Sequence, residues 1–450
     1  MNTTSDIIVA PATLTGGAIA IIRLSGEGSI ALCDTIFNPA KRSLSSAATH
    51  TLHYGEIVDG TRIIDDVLIS IFRAPHSYTG EESVEISCHG SHYIVQEIIE
   101  LLIKGGAHAA TAGEFTTRAY LAGRIDLSQA EAVADMIASS SKAQHAMAST
   151  QMRGGYSQRL NELRQQLVEL AALLELELDF SEEEVEFADR SRLTTLMSSL
   201  NSEIEKLSNS FSVGNAIKRG VPVAIIGEPN VGKSTLLNTL LNDQRAMVSD
   251  IAGTTRDLIE EEITLDGILF RFIDTAGVHA TSDQLELMGI ERTHQAIEKA
   301  QIIIHLLDAQ TANSRQSEID LSKLRKDQKV ITAINKVDLS KEPQTNTNAL
   351  PISAKNNQGI EELTTLLRQQ IDTQSLFEGA PIVSNTRHYE LLTQAQKSLQ
   401  TAHSGLKENL PTDLLCQDIR EVLHHIGSIT GSITTNEILA EVFSKFCIGK

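Results

Sequence analysis

The first part of the chain alternates short apolar runs with polar turns. Residues 6 to 90 contain AIAIIRLSG, DDVLISIF and ESVEIS, which have the length and the β-branched content of strands, and SHYIVQEIIELLIKGG follows with helical spacing. This pattern predicts a small α+β domain, which we place at residues 1–124.

From residue 125 onward the apolar spacing changes to three and four residues, which is typical of amphipathic helices. The leucines that mark it are Leu160, Leu163, Leu167, Leu170, Leu174 and Leu178. The spacing predicts long helices over residues 125–215, interrupted by the acidic stretch SEEEVEFADR and ending at a connector, SVGNAIKRGVP. Similar helical spacing returns over residues 378–450.

Between the two helical stretches, residues 216–377 alternate strand-like and helix-like segments. The strands are VPVAIIG, ILFRFIDTAG, AQIIIHLLDA, KVITAINKVD and LPISAK. Such alternation predicts an α/β domain built on a doubly wound parallel sheet. Because neither helical stretch has another obvious partner for its apolar face, we predict one all-α helical domain with the α/β domain inserted into it.

Composition narrows the class of protein. The 450 residues carry 58 acidic and 38 basic side chains, a net charge of -20, which works against non-specific binding to nucleic acid. No apolar run is long enough to span a bilayer, and the first residues lack the basic and apolar regions of a signal peptide. We expect a cytoplasmic protein that does not associate with membranes. The four cysteines are scattered, without a Cys-x-x-Cys pair that would indicate a zinc site.

A phosphate-binding loop is indicated by GEPNVGKST, residues 227–235, which matches G-x-x-x-x-G-K-[ST] between a strand and a helix. In such a loop backbone N–H groups surround the phosphates and the helix N-terminus adds its dipole. Lys233 would contact the β and γ oxygens, and Ser234 would bind Mg²⁺. The predicted nucleotide-binding residues here are Asn230, Val231, Gly232, Lys233, Ser234 and Thr235.

The stretch NKVD, residues 335–338, indicates which base is bound. Guanine presents two adjacent donors, N1–H and the 2-amino group, where adenine presents an acceptor, so the Asp338 carboxylate selects guanine. Asn335 and Lys336 would hold the ring. The SAK motif completes the predicted base site with Ser353, Ala354 and Lys355.

Two further segments have the features of switches that respond to the nucleotide. In SDIAGTTRD, residues 249–257, Thr255 would close over Mg²⁺ when the γ-phosphate is present. In DTAG, Asp274 would hold Mg²⁺ through a water, and the Gly277 amide would contact the γ-phosphate. The other predicted nucleotide-binding residues are Ser249, Asp250, Ile251, Ala252, Gly253, Thr254, Thr275 and Ala276. The phosphate loop, DTAG, NKVD and SAK follow one another in this order along the chain, and together they predict a guanine-nucleotide GTPase.

The residue after DTAG differs from that of Ras-like enzymes. There a glutamine orients the attacking water, whereas this chain has Val278. Another group must therefore position the water, and another charge must stabilise the transition state.

Stretches outside these motifs resemble one family. The N-terminal TGEESVEISCHG and GEFTTRAYLAGRIDLSQAEAVADMI, the later GIER and the terminal CIGK, together with GEPNVGKSTLLN and DIAGTTRD, are similar to the MnmE (TrmE) family of tRNA modification GTPases. The resemblance spans essentially the whole chain in the same order. The GTPase motifs alone would indicate only the broader group of translation-related GTPases.

The resemblance implies what replaces the glutamine and the arginine finger. A K⁺ ion at the nucleotide would be held when two G domains meet face to face, and it would neutralise developing charge. The implied ligands of this ion are Asn230, Ser249, Ile251 and Thr254. Glu286, in DQLELMGIER, would position the water through a second water; without the resemblance it is one acid on a solvated helix face. The implied catalytic residues are Glu286, Lys233, Thr255 and Gly277.

The resemblance also implies that the N-terminal domain dimerises and binds a tetrahydrofolate derivative, in the 5-formyl or methylene form. By motif position the folate-binding residues are Arg23, Glu85, Arg124 and Lys450. A carboxylate suits the amino-pyrimidinone edge of a pterin, and cations suit the glutamate tail. Taken singly, an Arg or Glu of this kind is more often solvated surface.

The implied function is potassium-dependent GTP hydrolysis coupled to adding an aminomethyl or carboxymethylaminomethyl group to carbon 5 of the wobble uridine of certain tRNAs. The implied partner of the homodimer is the flavoprotein MnmG (GidA), which binds FAD and much of the tRNA, in a heterotetramer or a larger complex. The alternative is a ribosome-assembly GTPase of the Era or Der type, although the chain has no second phosphate loop and no basic GxxG segment. Cys447 is either a buried apolar residue or one near the folate chemistry.

Overall fold

The computed structural model describes residues 6–39, 43–179, 190–245, 261–273, 295–310, 324–325, 328–339, 349–371, 381–444, 446 and 449. The strands are β1 Ile8–Pro11, β2 Ile19–Ser25, β3 Phe37–Pro39, β4 Thr51–Asp59, β5 Arg62–Phe72, β6 Ser83–His89, β7 His108–Ala109, β8 Val221–Ile226, β9 Glu261–Leu265, β10 Ile268–Phe272, β11 Ile302–Asp308, β12 Lys329–Asn335 and β13 Leu350–Pro351. The α-helices are α1 Ser29–Asp34, α2 His92–Lys104, α3 Glu114–Leu121, α4 Leu127–Ala138, α5 Lys142–Met152, α6 Gly155–Asp179, α7 Arg190–Arg219, α8 Lys233–Arg245, α9 Ile360–Gln369, α10 Thr386–Lys407, α11 Thr412–Thr430 and α12 Asn436–Ser444.

The chain divides into two compact units. The first contains residues 1–134, 151–172 and 419–450, and the second contains residues 135–150 and 173–418. The domain boundaries expected from the sequence stay predictions. Within the described residues, no helix combines the length and the apolarity that crossing a bilayer requires.

The first unit contains a seven-stranded sheet in the order β3-β4-β5-β6-β2-β1-β7. Its strands pair antiparallel except β1 and β7, which run parallel. One face packs against α1 and α2, where Val95, Ile98 and Leu102 of α2 join the buried core. The sheet and its helices confirm the predicted α+β architecture.

A second cluster in the first unit joins α3 and α4 to the C-terminal helix α12. Leu127, Leu439 and Phe443 are buried together. The Tyr120 hydroxyl donates a 2.7 Å hydrogen bond to the Gly431 carbonyl. Residues near the end of the chain therefore pack against the segment that follows the N-terminal sheet.

The second unit contains a six-stranded sheet in the order β13-β12-β11-β8-β10-β9. The strands are parallel except β9, which pairs antiparallel with β10. This sheet agrees with the predicted doubly wound parallel sheet, to which the structure adds one antiparallel edge strand, β9. Asp266 and Gly267 form its two-residue turn, with φ of 48° and 80°, a conformation that suits a tight hairpin.

Long helices in the second unit confirm the helices that the apolar spacing predicts. Helix α7 packs along α10, and the rings of Phe211 and Tyr389 stack with centroids 4.4 Å apart. Helix α7 continues to Arg219, through the segment that the sequence suggested was a connector. Gly214, within this segment, allows the Val383 carbonyl to pass close to the helix, because a Cβ at Gly214 would lie 2.1 Å from its oxygen.

Candidate functional site

The predicted phosphate loop connects the end of β8 to the first residue of α8. Gly232 has φ of 102°, and a Cβ at this position would lie 2.3 Å from the Nδ2 atom of Asn335. Only glycine allows both this conformation and this approach. The loop is therefore shaped to contact the segment that carries the predicted base site.

Lys233 turns its side chain back over this loop. Its ammonium donates hydrogen bonds of 2.7 Å to the Gly227 carbonyl and 3.0 Å to the Glu228 carbonyl. Burial lowers the pKa of Lys233. Ser234 and Thr235 follow in the first turn of α8, whose N-terminus directs backbone N–H groups toward the loop. A cation and backbone donors thus converge at one end of the helix, as an anion site requires.

Asn335, at the end of β12, connects the predicted phosphate loop to the predicted base site. Its side chain is buried, donates a 2.8 Å hydrogen bond to the Val231 carbonyl and accepts one of 3.0 Å from the Ala354 amide. Both functions of one amide group are used, which fixes its orientation. Three motifs that are distant in sequence meet at this side chain.

Lys336 bridges the phosphate loop and the end of β11. Its ammonium donates hydrogen bonds of 2.7 Å to the Asn230 carbonyl and 2.6 Å to the Asp308 carboxylate. Burial raises the pKa of the Asp308 carboxyl, but hydrogen bonds from Lys336 and from the Gln310 amide outweigh burial and lower it below its usual value. Asp308 therefore stays ionised beside the lysine.

Asp338 and the SAK motif lie at the same edge of the sheet. The Ser353 hydroxyl donates a 2.7 Å hydrogen bond to one carboxylate oxygen of Asp338. Thr239 of α8 donates one of 2.8 Å to the Ala354 carbonyl, which ties this segment to the helix after the phosphate loop. The side chain of Lys355 is exposed beside them. The structure thus brings the predicted base-site residues together.

The remaining predicted residues of this site lie outside the described residues. They are Ser249, Asp250, Ile251, Ala252, Gly253, Thr254, Thr255, Asp274, Thr275, Ala276, Gly277 and Glu286. Their roles as Mg²⁺ and K⁺ ligands and as catalytic residues stay predictions.

The predicted folate residues Arg23 and Glu85 are direct cross-strand partners on β2 and β6. The Arg23 Nε donates a 2.9 Å hydrogen bond to Glu85 Oε1, and Nη2 lies 2.8 Å from the same oxygen. The guanidinium also lies 5.7 Å from the ring centroid of Tyr78 and 5.8 Å from that of Phe115. The Gly449 carbonyl is 3.5 Å from Nη1, so the described part of the C-terminus reaches this pair.

Arg124 lies beside an open pocket of about 340 Å³ in the first unit. The pocket is lined by His50, Phe72, His76, Ser77, Tyr78 and Arg124. Tyr78 belongs to this lining and also faces Arg23, which is paired with Glu85, so Arg23 and Arg124 both lie near this tyrosine. The fourth, Lys450, and also Cys447, lie outside the described residues.

Sequence patterns did not indicate several residues of these two sites. Asp308 ends an apolar strand. The only sequence feature that could have indicated it is an acidic residue directly after the apolar run IIIHLL. Tyr78, Phe115, His50 and His76 have no motif spacing that sets them apart. Their positions depend on how separate loops meet.

Comparisons with known proteins cover the whole chain. A family model described as "GTP-binding protein TrmE N-terminus" matches residues 7–124, and one described as "MnmE helical domain" matches residues 127–447. The tRNA modification GTPase MnmE of Flavobacterium johnsoniae is 48% identical over 462 residues, covering 99% of both chains. That of Christiangramia forsetii is 49% identical over 471 residues, again covering 99% of both.

A solved structure, a variant of Aquifex aeolicus Era bound to GDP and AlF4⁻, matches with 28% identity. It covers 39% of this chain and 65% of that chain, with a TM-score of 0.25.

Proposed function

Because this chain belongs to the MnmE (TrmE) family of tRNA modification GTPases, we propose that its nucleotide site binds and hydrolyses GTP in support of tRNA modification. The observation that carries the proposal is the pair of hydrogen bonds at Asn335, which join Val231 of the phosphate loop to Ala354 of the SAK motif. They set the distance between the phosphate end and the base end of the site. Guanine would donate N1–H and its 2-amino group to Asp338.

Mg²⁺ fits the donor groups of this site. Ser234 supplies a hydroxyl oxygen at the first turn of α8, close to the Lys233 ammonium that would contact the phosphates. Hard oxygen donors of this kind suit Mg²⁺, which would neutralise charge on the β and γ phosphates. Thr255 would be the second protein ligand, and Asp274 would act through a water.

K⁺ is the proposed substitute for an arginine finger. Asn230, which has left-handed φ of 62° in the phosphate loop, would be one ligand, with Ser249, Ile251 and Thr254. Glu286 would position the attacking water. We expect GTP turnover at saturating GTP to be much faster in KCl than in NaCl at equal ionic strength. Equal rates would contradict the potassium requirement.

A tetrahydrofolate derivative is the proposed ligand of the first unit. The Arg23–Glu85 pair, the Tyr78 ring and the pocket beside Arg124 offer a cation, a carboxylate and an aromatic face, which suits a pterin with an anionic tail. Lys450 would add a third cation to Arg23 and Arg124, and the folate would supply a one-carbon unit.

Equilibrium binding of 5-formyl-tetrahydrofolate tests this assignment. Arg23→Ala should weaken binding at least tenfold. The matched control is Arg62→Ala. It removes an exposed arginine of the same sheet, which is paired with Glu97 of α2, and it should leave binding unchanged. Equal affinity in wild type and Arg23→Ala would contradict the folate site.

A homodimer through the N-terminal sheet is supported by an apolar patch. Tyr54 pairs with Leu68 and Leu52 with Ser70 across β4 and β5, which puts Leu52, Tyr54 and Leu68 on one face. Their exposed fractions are 61%, 58% and 41%. Apolar patches of this kind mark protein interfaces. Leu68→Asp should yield monomers in sedimentation, whereas Leu121→Asp, elsewhere on the surface, should not.

The proposed reaction is the addition of an aminomethyl or carboxymethylaminomethyl group to carbon 5 of the wobble uridine, together with the flavoprotein MnmG and its FAD. The net charge of -20 supports a partner that binds much of the tRNA. Mass spectrometry of tRNA nucleosides from cells with and without the gene tests the proposal. The modified uridines should disappear in the deletion and return with wild type but not with Asp338→Asn.

An unchanged nucleoside profile would contradict the modification function. GTP binding by the purified protein would then favour the alternative, a ribosome-assembly GTPase of the Era or Der type.

A further inference from the structure

We infer that Asp308 is a positioning residue for guanine-nucleotide binding, which holds the Lys336 ammonium between the phosphate loop and the base site. The inference rests on the proposed nucleotide site and adds a residue that its motifs do not contain. Asp308 would act through Lys336, without contact to the nucleotide.

Strand register explains why Asp308 can reach this lysine. Strands β11 and β12 are parallel neighbours, and Asp308 is the cross-strand partner of Asn335. Lys336 is therefore the first residue beyond the paired ends. Its ammonium lies 2.6 Å from Asp308 Oδ2, and the Gln310 amide donates a 2.9 Å hydrogen bond to Oδ1. Both carboxylate oxygens are held, so Asp308 offers the ammonium a fixed position.

The backbone around Lys336 indicates that this position is functionally constrained. Lys336 has φ of 64° and Asn230 has φ of 62°, a region that residues other than glycine seldom adopt. The Lys336 side chain bonds the Asn230 carbonyl at 2.7 Å, which joins the two strained residues to each other. Strain of this kind persists where the surrounding structure holds it and is common at ligand sites.

Charge makes Asp308 more than a packing residue. The side chains of Asp308 and Lys336 are 15% and 30% exposed, so their attraction is only partly screened by water. Without the carboxylate, the ammonium would keep one neutral acceptor, the Asn230 carbonyl, and would be free to leave the base site. An ammonium has three donors, and two are accounted for here, which leaves one for the nucleotide.

The substitution of Asp308 should weaken nucleotide binding without slowing the hydrolysis step. Lys336 would contact the base, which is at the opposite end of the nucleotide from the γ-phosphate. Asp308→Asn should therefore raise the KM for GTP and the Kd for GDP about tenfold, because the substitution removes the negative charge that holds the Lys336 ammonium and leaves only a neutral amide oxygen. The kcat at saturating GTP should stay within about twofold.

The test uses the full-length protein and a fluorescent GDP analogue. Asp266→Asn is the matched control, because it makes the same substitution in the same unit at a carboxylate paired with Arg368, away from the site. The control should bind GDP as wild type does. Asp308→Asn with wild-type affinity would overturn the inference.

A double-mutant cycle with Lys336→Met separates positioning from general damage to the fold. If Asp308 acts through Lys336, Asp308→Asn should cause no further loss of GDP affinity in the Lys336→Met background. Losses that multiply would overturn the inference. A wild-type protein that binds neither GDP nor GTP would instead contradict the proposed function.

Discussion

The Ala143 amide donates a 2.9 Å hydrogen bond to the carbonyl of Gly267, at the tip of the β9–β10 hairpin. Ala143 and Met147 of α5 are buried in the same cluster as Ile263 and Phe270 of that hairpin. The hairpin lies in sequence between the two predicted switch segments, residues 249–257 and 274–277. Helix α5 is thus packed against the strands that lead into and out of the predicted switches.

We predict that Gly267→Ala loosens this contact. Gly267 has φ of 80°, and a Cβ would lie 2.6 Å from the Lys142 Cβ, so the substitution combines left-handed strain with a clash. The left-handed strain costs about 1–2 kcal/mol and the clash about 1–3 kcal/mol. Hydrogen exchange of the Ala143 amide should accelerate by at least tenfold.

Gly60→Ala is the control for strain alone. Gly60 also occupies a hairpin turn with positive φ, 62°, but a Cβ there would meet nothing within 4 Å. Its substitution should leave exchange at Ala143 unchanged. Equal exchange at Ala143 in Gly267→Ala and wild type would show that the hairpin contact does not stabilise α5.

Helical spacing predicted much of the fold, because a leucine stripe must be buried against something. Leu160, Leu163 and Leu167 are indeed buried. The packing of α5 against the β9–β10 hairpin was not predictable in this way. Its sequence, KAQHAMASTQM, offers two buried contact residues, Ala143 and Met147, in place of a broad apolar stripe. Which surface accepts such a helix depends on tertiary shape.

The nucleotide site shows a similar division between motif and register. The phosphate loop, NKVD and SAK could be predicted because each chemical task requires certain residue types at fixed spacing. Asp308 precedes Lys336 by 28 positions and contacts it only because β11 and β12 are adjacent and parallel. The order of strands in a sheet cannot be predicted from local sequence. The pocket around Tyr78 depends on loop packing for the same reason.

Lowering the pH should reduce the stability of the first unit, because the Glu114 carboxylate becomes protonated. Burial raises the pKa of this carboxyl, but hydrogen bonds from Thr111 and Arg118 outweigh burial and lower it below the usual value. The resulting stability is fully present above the unfolded pKa, about 4.3, and is lost as pH falls through the lower folded value. Glu114→Gln should cost about 1 kcal/mol at pH 7, with the difference from wild type shrinking below about pH 4.

Thermal unfolding between pH 7 and pH 3 measures this difference. Glu100→Gln serves as the control, because Glu100 is exposed on α2 and accepts one hydrogen bond from Gln96. It should unfold as wild type at every pH. A Glu114→Gln difference that grew toward acid would contradict the assigned direction.

Cys88 should resist alkylation in the folded protein. Burial, with a smaller effect from Asp65, raises the pKa of its thiol to about 11, and burial also raises that of Cys33. The thiolate is the reactive form, so at pH 8 only about one Cys88 in 1,000 would be ionised. Peptide mass spectrometry after iodoacetamide should find both cysteines unlabelled until guanidinium is added. Rapid labelling of the native protein would show that these side chains are accessible.

Asn335→Ala should strongly weaken guanine-nucleotide binding and also destabilise the second unit. The variant leaves the Val231 carbonyl and the Ala354 amide without their partner, and an unsatisfied buried group costs about 1–3 kcal/mol. We expect GDP affinity to fall at least 100-fold, because the phosphate loop and the SAK motif lose their shared contact. Asn38→Ala, which removes an exposed amide bonded to Glu56, is the control and should bind GDP normally. Asp308→Asn leaves the Asn335 hydrogen bonds in place, so its GDP affinity should fall less than that of Asn335→Ala. A larger fall in Asp308→Asn would mean that Lys336, and not Asn335, holds the base site in place.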